Sequence, residues 1–149
     1  MILDQIDVQI LRILTENSRA QWKDIGEQIH MTGQAVGNRI KKLEDSGVIK
    51  TYSLIVDEMK IGLNFTAFVI ISMKSANHDS FIHFLHGRNE VVEAHRISGE
   101  GCYHLTIKVA SQEQVNDLLN GLLNHGNYSL NLSVQKIKQR SVLTAAAPE

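Results

Sequence analysis

The residues best suited to chemistry lie in one stretch, MTGQAVGNRIKKLEDSGVI, at residues 31–49. Its apolar residues recur at helical spacing: Val36, Ile40 and Leu43. This spacing predicts a helix that packs on a core through one side. At 100° per residue, Gln34, Asn38 and Lys41 then lie almost opposite that side. Amides can pair with base edges, and an ammonium group can bind phosphate or guanine. The exposed face is therefore suited to DNA, although ordinary solvated residues would give the same pattern.

We predict that Gln34 and Asn38 contact bases and that the neighbouring cations contact phosphate. For Arg39, the alternative to a phosphate contact is a structural role within the protein. The candidate DNA contacts are Thr32, Gln34, Asn38, Arg39, Lys41 and Lys42. Thr32 is also a suitable N-cap for the helix, and Gly47 is a typical stop.

Two glycines weaken this predicted helix. Gly33 and Gly37 each cost about 1 kcal/mol relative to alanine in a helix interior. Gly37 lies on the flank of the polar face, where a missing side chain would let the helix approach a groove wall closely. The alternative is that both glycines serve packing alone.

Two further helices precede this one. The first opens with Asp4 and Asp7, whose carboxylates suit the free amides and the positive end of a helix dipole. The second is predicted from about Gln21 to His30, and its start is poorly marked. Its inward residues are predicted to be Trp22, Ile25 and Ile29.

Only residues 30–32 separate the second and third helices, so the two must cross steeply, as in a helix-turn-helix. Gly26 would provide the small residue that such a crossing needs. The next segment, Val48–Val56, is rich in β-branched residues and is predicted to be a strand or wing. We expect a winged helix-turn-helix domain over residues 1–56 and a linker over residues 57–64.

The remaining elements alternate between strands and helices. Predicted strands are Thr66–Met73, Val91–Ser98, Cys102–Val109 and a last strand through Leu130, Leu132 and Val134. Predicted helices are Asp79–His86 and one that begins with a capping box, Ser111 with Gln114, and ends near Gly126. The order βαββαβ predicts a ferredoxin-like domain over residues 65–140. The fold class is therefore α+β, and residues 141–149 are expected to be a disordered tail.

Strand one is apolar on both faces, with Ala67, Val69 and Ile71 on one side and Phe68 and Ile70 on the other. Several strands show this tendency, so the sheet face without helices should be an exposed apolar patch. We therefore expect a homodimer that forms through this domain. Two copies would double the phosphate contacts and set a half-site spacing of about 34–36 Å or a multiple.

Composition excludes several classes of protein. The 149 residues are 43% hydrophobic, enough for a core, and the longest apolar run, Ala67–Ile71, is too short for a bilayer. No charged leader is evident, and Cys102 is the only cysteine, which excludes an internal disulfide. We expect a cytoplasmic protein with no membrane partner and no cofactor. The net charge of −1 gives no overall attraction to nucleic acid.

Seven histidines raise the possibility of a metal site or an enzyme. His83 and His86 lie three residues apart, but surface positions explain the abundance of histidine better than a metal site does. We predict neither a metal site nor a catalytic residue. Cys102 with His104 on the same strand face lacks an evident acid to orient the histidine. An enzyme or metabolite-binding protein on this fold stays an alternative.

The turn SGEGCY, residues 98–103, could bind a small ligand because its glycines leave backbone amides exposed. A hairpin loop that needs glycine for geometry alone is the competing explanation.

Several segments in order resemble the leucine-responsive and asparagine-responsive (Lrp/AsnC) family of prokaryotic transcription regulators. They are LDQIDVQILRILTENSRAQWKDIGEQIHMT, TGQAVGNRIKKLEDSGVIKTY and RISGEGCYHLTIKV, and the resemblance covers about residues 2–140. It implies a DNA-binding regulator that forms dimers, often octamers, and binds an amino acid or another small effector. Some members wrap DNA, so a low-specificity architectural protein is the second hypothesis.

The resemblance also implies an effector site at the glycine-containing turn. Its residues would be Gly99, Glu100, Gly101, Cys102 and Tyr103. The family commonly has aspartate where this chain has Cys102, and a neutral thiol cannot pair with a ligand ammonium. The identity of the effector therefore does not follow from the resemblance.

Overall fold

The computed structural model describes residues 2–138. Its first unit contains the residues before Ile55. Three helices form it: α1 (Gln5–Glu16), α2 (Trp22–Gln28) and α3 (Gly33–Asp45). The core that they enclose consists of Ile10, Leu11, Leu14, Ile25, Val36, Ile40 and Leu43. The predicted inward residues Ile25, Val36, Ile40 and Leu43 all belong to this core.

The turn between α2 and α3 is as tight as the sequence required. Met31 N donates to Gly26 O at 2.8 Å, and a Cβ on Gly26 would lie 2.4 Å from Met31 O. The prediction that Gly26 permits a close crossing is confirmed. α2 ends at Gln28, two residues before its predicted end, and His30 follows in a left-handed conformation with φ 58°.

The prediction of a buried Trp22 is wrong. The side chain is 54% exposed, whereas Ile25 is fully buried and Ile29 is partly buried. Trp22 occupies the first position of α2, where the ring reaches α3 only at the edge of the core.

The prediction of a strand over Val48–Val56 is also wrong, because residues 50–57 have no regular secondary structure. A strand needs a neighbour to accept its hydrogen bonds, and within residues 2–138 this segment has none. It is anchored at Tyr52, whose hydroxyl donates to Glu44 Oε1 at 2.8 Å. Desolvation, and then this carboxylate, raise the pKa of Tyr52 to about 12.

The second unit comprises Ile55–Ile137. Its elements are a 3₁₀ turn (Met59–Ile61), β1 (Phe65–Met73), α4 (His78–His86), β2 (Val91–Arg96), β3 (Tyr103–Val109), α5 (Gln112–Leu123) and β4 (Gly126–Leu132). The strands form one antiparallel sheet in the order β2-β3-β1-β4. The α+β fold class, with a ferredoxin-like βαββαβ domain, is confirmed.

One face of this sheet packs against α4 and α5. Alternate residues of β1 and β3 are buried there, together with Phe81 of α4 and Leu118 and Leu122 of α5. Val109 pairs with Phe65 at one end of the two strands and Tyr103 pairs with Ile71 at the other. This register places the loop between β2 and β3 at the same end of the sheet as the end of β1.

The opposite face is less apolar than predicted. Phe68 and Ile70 are its large apolar residues on β1, and both are partly buried. Their cross-strand partners, which share that face, are polar: Thr106 and Asn131 for Phe68, and His104 and Ser129 for Ile70. The Phe68 ring stacks on the His104 ring with centroids 5.9 Å apart. The expectation of apolar residues on both faces therefore holds for β1 only.

The start of α5 is capped by one half of the predicted capping box. Ser111 Oγ accepts from Gln114 N, but the Gln114 side chain accepts from Ala110 N instead of Ser111 N. At the other end of the unit, β4 stops at Leu132, and Val134 lies beyond it fully exposed.

Glu58 joins three segments of the second unit. It forms ion pairs with Lys108 of β3 and, at 3.8 Å, with Lys136 after β4. The hydrogen bond from Lys108 is the main reason that the pKa of Glu58 is lowered. Glu58 belongs to the predicted linker at residues 57–64, which is therefore packed onto the second unit. The tail predicted at residues 141–149 lies outside the described residues.

Candidate nucleic-acid interface

α3 presents its predicted polar face to solvent. Thr32 caps the helix by accepting from Ala35 N at 3.2 Å. Gln34, Asn38 and Lys41 are all exposed, while the opposite side carries the buried residues of the core. The first unit thus places two side-chain amides and an ammonium group along one accessible helix face.

The two glycines of α3 serve packing. A Cβ on Gly33 would lie 3.1 Å from Lys23 N, and one on Gly37 would lie 2.5 Å from Cε3 and Cζ3 of Trp22. Gly37 is buried, so the explanation that it exposes the helix to a groove wall is wrong. Glycine is needed at both positions because the start of α2 packs directly on α3 and leaves no room for a side chain.

Arg39 is engaged within the protein. Its Nη1 lies 2.7 Å from Asp4 Oδ2 and 2.7 Å from Asp7 Oδ1, and the Asp7 side chain is only 7% exposed. Asp4 and Asp7 also form the reciprocal capping box of α1. The Asp7 amide, and then the Arg39 guanidinium, lower the pKa of Asp4, and the two carboxylates raise the pKa of Arg39. These contacts support the structural alternative for this residue.

The other two cationic residues of α3 are available to bind a ligand. Lys41 and Lys42 are both exposed, and neither has an ion-pair partner within residues 2–138. Lys23, at the start of α2, lies 3.8 Å from Glu27 on the same exposed helix. Such an exposed pair contributes at most a few tenths of a kcal/mol.

In the second unit, the predicted effector turn divides between two environments. Gly99 and Gly101 have φ values of 107° and 86°, and Gly101 approaches β1 so closely that a Cβ would lie 2.4 Å from Ile70 Cγ2. Glu100 and Gly101 line an open hollow of about 280 Å³. The other lining residues are Ile70, Ser72, Asn127, Tyr128 and Ser129.

Cys102 and Tyr103 have their side chains elsewhere. Cys102 N donates to Ile71 O at 2.7 Å, and its Sγ accepts from Met73 N at 3.5 Å. Tyr103 is 4% exposed, and its hydroxyl lies 2.8 Å from His78 Nδ1. Neither residue lines the hollow, so of the five candidates only Glu100 and Gly101 do.

The histidines do not converge. Within residues 2–138 no group of three or more histidine, cysteine, aspartate or glutamate side chains could hold a metal ion. His95 and His104 pair across β2 and β3, and His95 Nε2 lies 2.8 Å from Glu93 Oε1. Among the described helices, none has the length and apolar character to cross a membrane.

The first unit is a helix-turn-helix whose second helix has an exposed polar face, and the second unit is a ferredoxin-like domain. This combination is typical of a class of DNA-binding regulators. The AsnC-type helix-turn-helix domain matches residues 3–44, and the Lrp/AsnC ligand binding domain matches residues 66–143. The chain belongs to the Lrp/AsnC family of transcription regulators.

Relatives agree with this assignment over most of the chain. It is 58% identical to the HTH-type transcriptional regulator LrpB of Bacillus subtilis, over 93% of each chain. Identity to LrpA of the same organism is 36%, over 91% of this chain and all of that one. The structure of B. subtilis LrpC superposes with a TM-score of 0.88 at 31% identity, covering 94% of this chain and 100% of that chain.

Sequence reasoning missed three features of these sites. The partners of Arg39 lie 35 and 32 residues away, and Trp22 rests on α3 from outside the core. The hollow takes Ser72, Asn127 and Ser129 from two other strands. The periodicity of one element carries no information about partners so distant along the chain. Of the three features, only the contact of Trp22 with α3 had a local signal in the sequence, which is the glycine at position 37.

Proposed function

We propose that this regulator binds duplex DNA sequence-specifically, with α3 in the major groove. Gln34 and Asn38 contact base edges, and Lys41 and Lys42 contact phosphates beside the groove. Thr32, at the start of α3, is suited to a backbone contact through its hydroxyl. The observation that supports this most directly is that α3 exposes these groups while its opposite side is buried in the core.

Arg39 is not part of the proposed contact set, because a phosphate contact would require it to leave Asp4 and the nearly buried Asp7. Two lysines from each of two subunits would then neutralise four phosphates. The logarithm of the affinity should fall with the logarithm of salt concentration at a slope of about −3.6.

The functional unit in this proposal is a homodimer formed through the second unit, with an octamer as the larger assembly that the family resemblance implies. Phe68 and Ile70 form a small apolar centre on the sheet face opposite α4 and α5. A second copy on that face would remove both side chains from water. It would also bring two α3 helices into one assembly, one for each half-site of an operator.

The test is a fluorescence-anisotropy titration with the duplex upstream of the protein's own gene and with a scrambled duplex. The double variant Gln34→Ala/Asn38→Ala should lose the preference for the native duplex while keeping the salt slope. Gln112→Ala/Asn116→Ala is the matched control, because it removes the same two residue types at the same spacing from the exposed side of α5.

Each result has a distinct meaning. A preference of at least tenfold, or about 1.4 kcal/mol, that only the α3 variant loses supports sequence-specific binding. Equal, salt-sensitive binding of the wild type to both duplexes indicates the architectural alternative. No binding to either duplex by a folded protein refutes the proposal.

We also propose that the hollow beside Glu100 is the effector site. Glu100 is the one ionisable carboxylate among its lining residues, and Ser72, Asn127 and Ser129 supply hydroxyl and amide groups. This set suits a small ligand with an ammonium group, such as an amino acid. Calorimetric titration with individual amino acids should show binding that Glu100→Gln weakens. Unchanged affinity in that variant would show that the effector site is not the hollow beside Glu100.

A further inference from the structure

Trp22 is a large aromatic side chain placed at the surface beside the DNA-reading face. It is the only tryptophan of the chain, begins α2, and is 54% exposed. A single exposed apolar side chain is common and needs no explanation by itself. What requires one is the place on α3 that holds it.

That place is made by removing a side chain from α3. The indole edge that contains Cε3 and Cζ3 lies where a Cβ of residue 37 would stand, at 2.5 Å. Glycine in a helix interior costs about 1 kcal/mol relative to alanine. The protein therefore gives up helix stability at Gly37, and the ring that benefits is still half in solvent.

The position of the ring relative to the proposed DNA contacts follows from helix geometry. Residues three before and four after position 37 are its neighbours on the helix surface. These are Gln34 and Lys41, both of them exposed. The indole consequently flanks the face that α3 would present to a groove.

The edge of the indole that faces Gly37 carries Cε3 and Cζ3, and Nε1 belongs to the opposite edge. Within residues 2–138, Nε1 makes no hydrogen bond. In a helix-turn-helix the first of the two helices crosses the DNA backbone while the second enters the major groove. Trp22, as the first residue of α2, is in the right element to meet that backbone.

We propose that Trp22 is a DNA-backbone contact: its indole N–H donates to a phosphate oxygen, and its ring packs on the adjoining sugar. This proposal rests on the proposed entry of α3 into the major groove. A backbone contact fixes the orientation of the protein on the duplex and carries no direct sequence information. Trp22 therefore contributes to affinity for any duplex, whereas Gln34 and Asn38 provide the preference.

The sole tryptophan gives a direct readout. Binding of the wild type to labelled DNA is first established by anisotropy, with both the native and the scrambled duplex at low salt. Acrylamide quenching of Trp22 is then measured with and without saturating unlabelled duplex. We expect the quenching constant to fall at least twofold, because the bound DNA covers the exposed ring.

Variants test the contact itself. Trp22→Ala should weaken binding about tenfold on both duplexes without changing the salt slope, and Trp22→Phe should lie between, since it keeps a ring but lacks the N–H. Met59→Ala, which removes a 73% exposed apolar side chain from the second unit, should bind as the wild type does. Thermal melting of each variant separates lost contact from lost fold.

The outcomes are decisive in both directions. An unchanged quenching constant at saturating DNA overturns the proposal, as does binding by a folded Trp22→Ala protein within twofold of the wild type. If Trp22→Ala does not fold, the wild-type quenching and the Trp22→Phe affinity decide. Absence of wild-type binding to either duplex would instead refute the proposed function.

Discussion

Replacing Arg39 with methionine should destabilise the N-terminal unit and leave the salt dependence of DNA binding unchanged. The substitution keeps an unbranched side chain of similar length but removes the guanidinium from Asp4 and Asp7, each 2.7 Å away. The Asp7 side chain, at 7% exposure, would then be a nearly buried carboxylate without its cation.

The size of the effect follows from the surroundings. Breaking a fully buried ion pair costs about 3–5 kcal/mol, but the Arg39 side chain is 30% exposed, so water compensates in part. A charge-assisted hydrogen bond is worth about 1.5–3 kcal/mol, and we expect a loss of about 2 kcal/mol. For a unit of this size, that loss lowers the melting temperature by roughly 10 °C.

Thermal melting and salt-dependent anisotropy together distinguish the two roles of Arg39. Arg12→Met is the matched control, since Arg12 is exposed on α1 and has no ion-pair partner among the described residues. Adding Asp7→Asn to Arg39→Met should recover part of the lost stability, because it removes the unpaired charge of Asp7. If Arg39→Met instead melts like the control and flattens the salt slope by about 1.8, for one phosphate contact in each of two subunits, the structural reasoning is wrong.

Three other outcomes follow from the geometry. Because the pKa of Asp4 is lowered in the folded protein, its carboxylate contributes its full stabilisation above the ordinary value of 3.8. This stabilisation is lost as the pH falls through the lowered value, so the urea melts of Asp4→Asn and the wild type should differ most at neutral pH and approach each other progressively as the solution is acidified below 3.8. Gly37→Ala should stabilise a Trp22→Ala chain by about 1 kcal/mol but not the wild type, where the new methyl group meets the indole; equal effects in both chains would contradict the packing described. Gly101→Ala should lower the melting temperature of the second unit more than Gly99→Ala, since both residues have positive φ but only the former also meets a β1 side chain; equal melting would show that backbone strain alone matters.

Local periodicity predicted what depends on one element at a time. The spacing of Val36, Ile40 and Leu43 identified both α3 and its buried side. The predicted strand over Val48–Val56 was wrong because β-branched residues indicate a strand only where a neighbour can complete its hydrogen bonds. The β-strand propensity of a segment can be read from its own residues, whereas the presence of a neighbouring strand depends on the whole fold.

The sites show the same limit more strongly. Gln34 and Asn38 could be placed on the exposed face of α3 from helix geometry alone, and the structure agrees. The ion-pair partners of Arg39 could not be identified without knowledge of the start of α1, more than thirty residues earlier. Trp22 was predicted to be buried because it is apolar and precedes Ile25 at helical spacing, and no local rule indicates that a glycine on another helix holds the ring outside the core.

The ion pairs of Glu58 determine where the second unit can be cut. A fragment that began at Phe65, the first residue of the sheet, would leave Lys108 without its carboxylate partner. One that stopped at Leu132, the last residue of the sheet, would omit the Lys136 ammonium that also faces Glu58. An expression boundary for the isolated second unit should therefore precede Glu58 and follow Lys136, several residues outside the sheet on both sides.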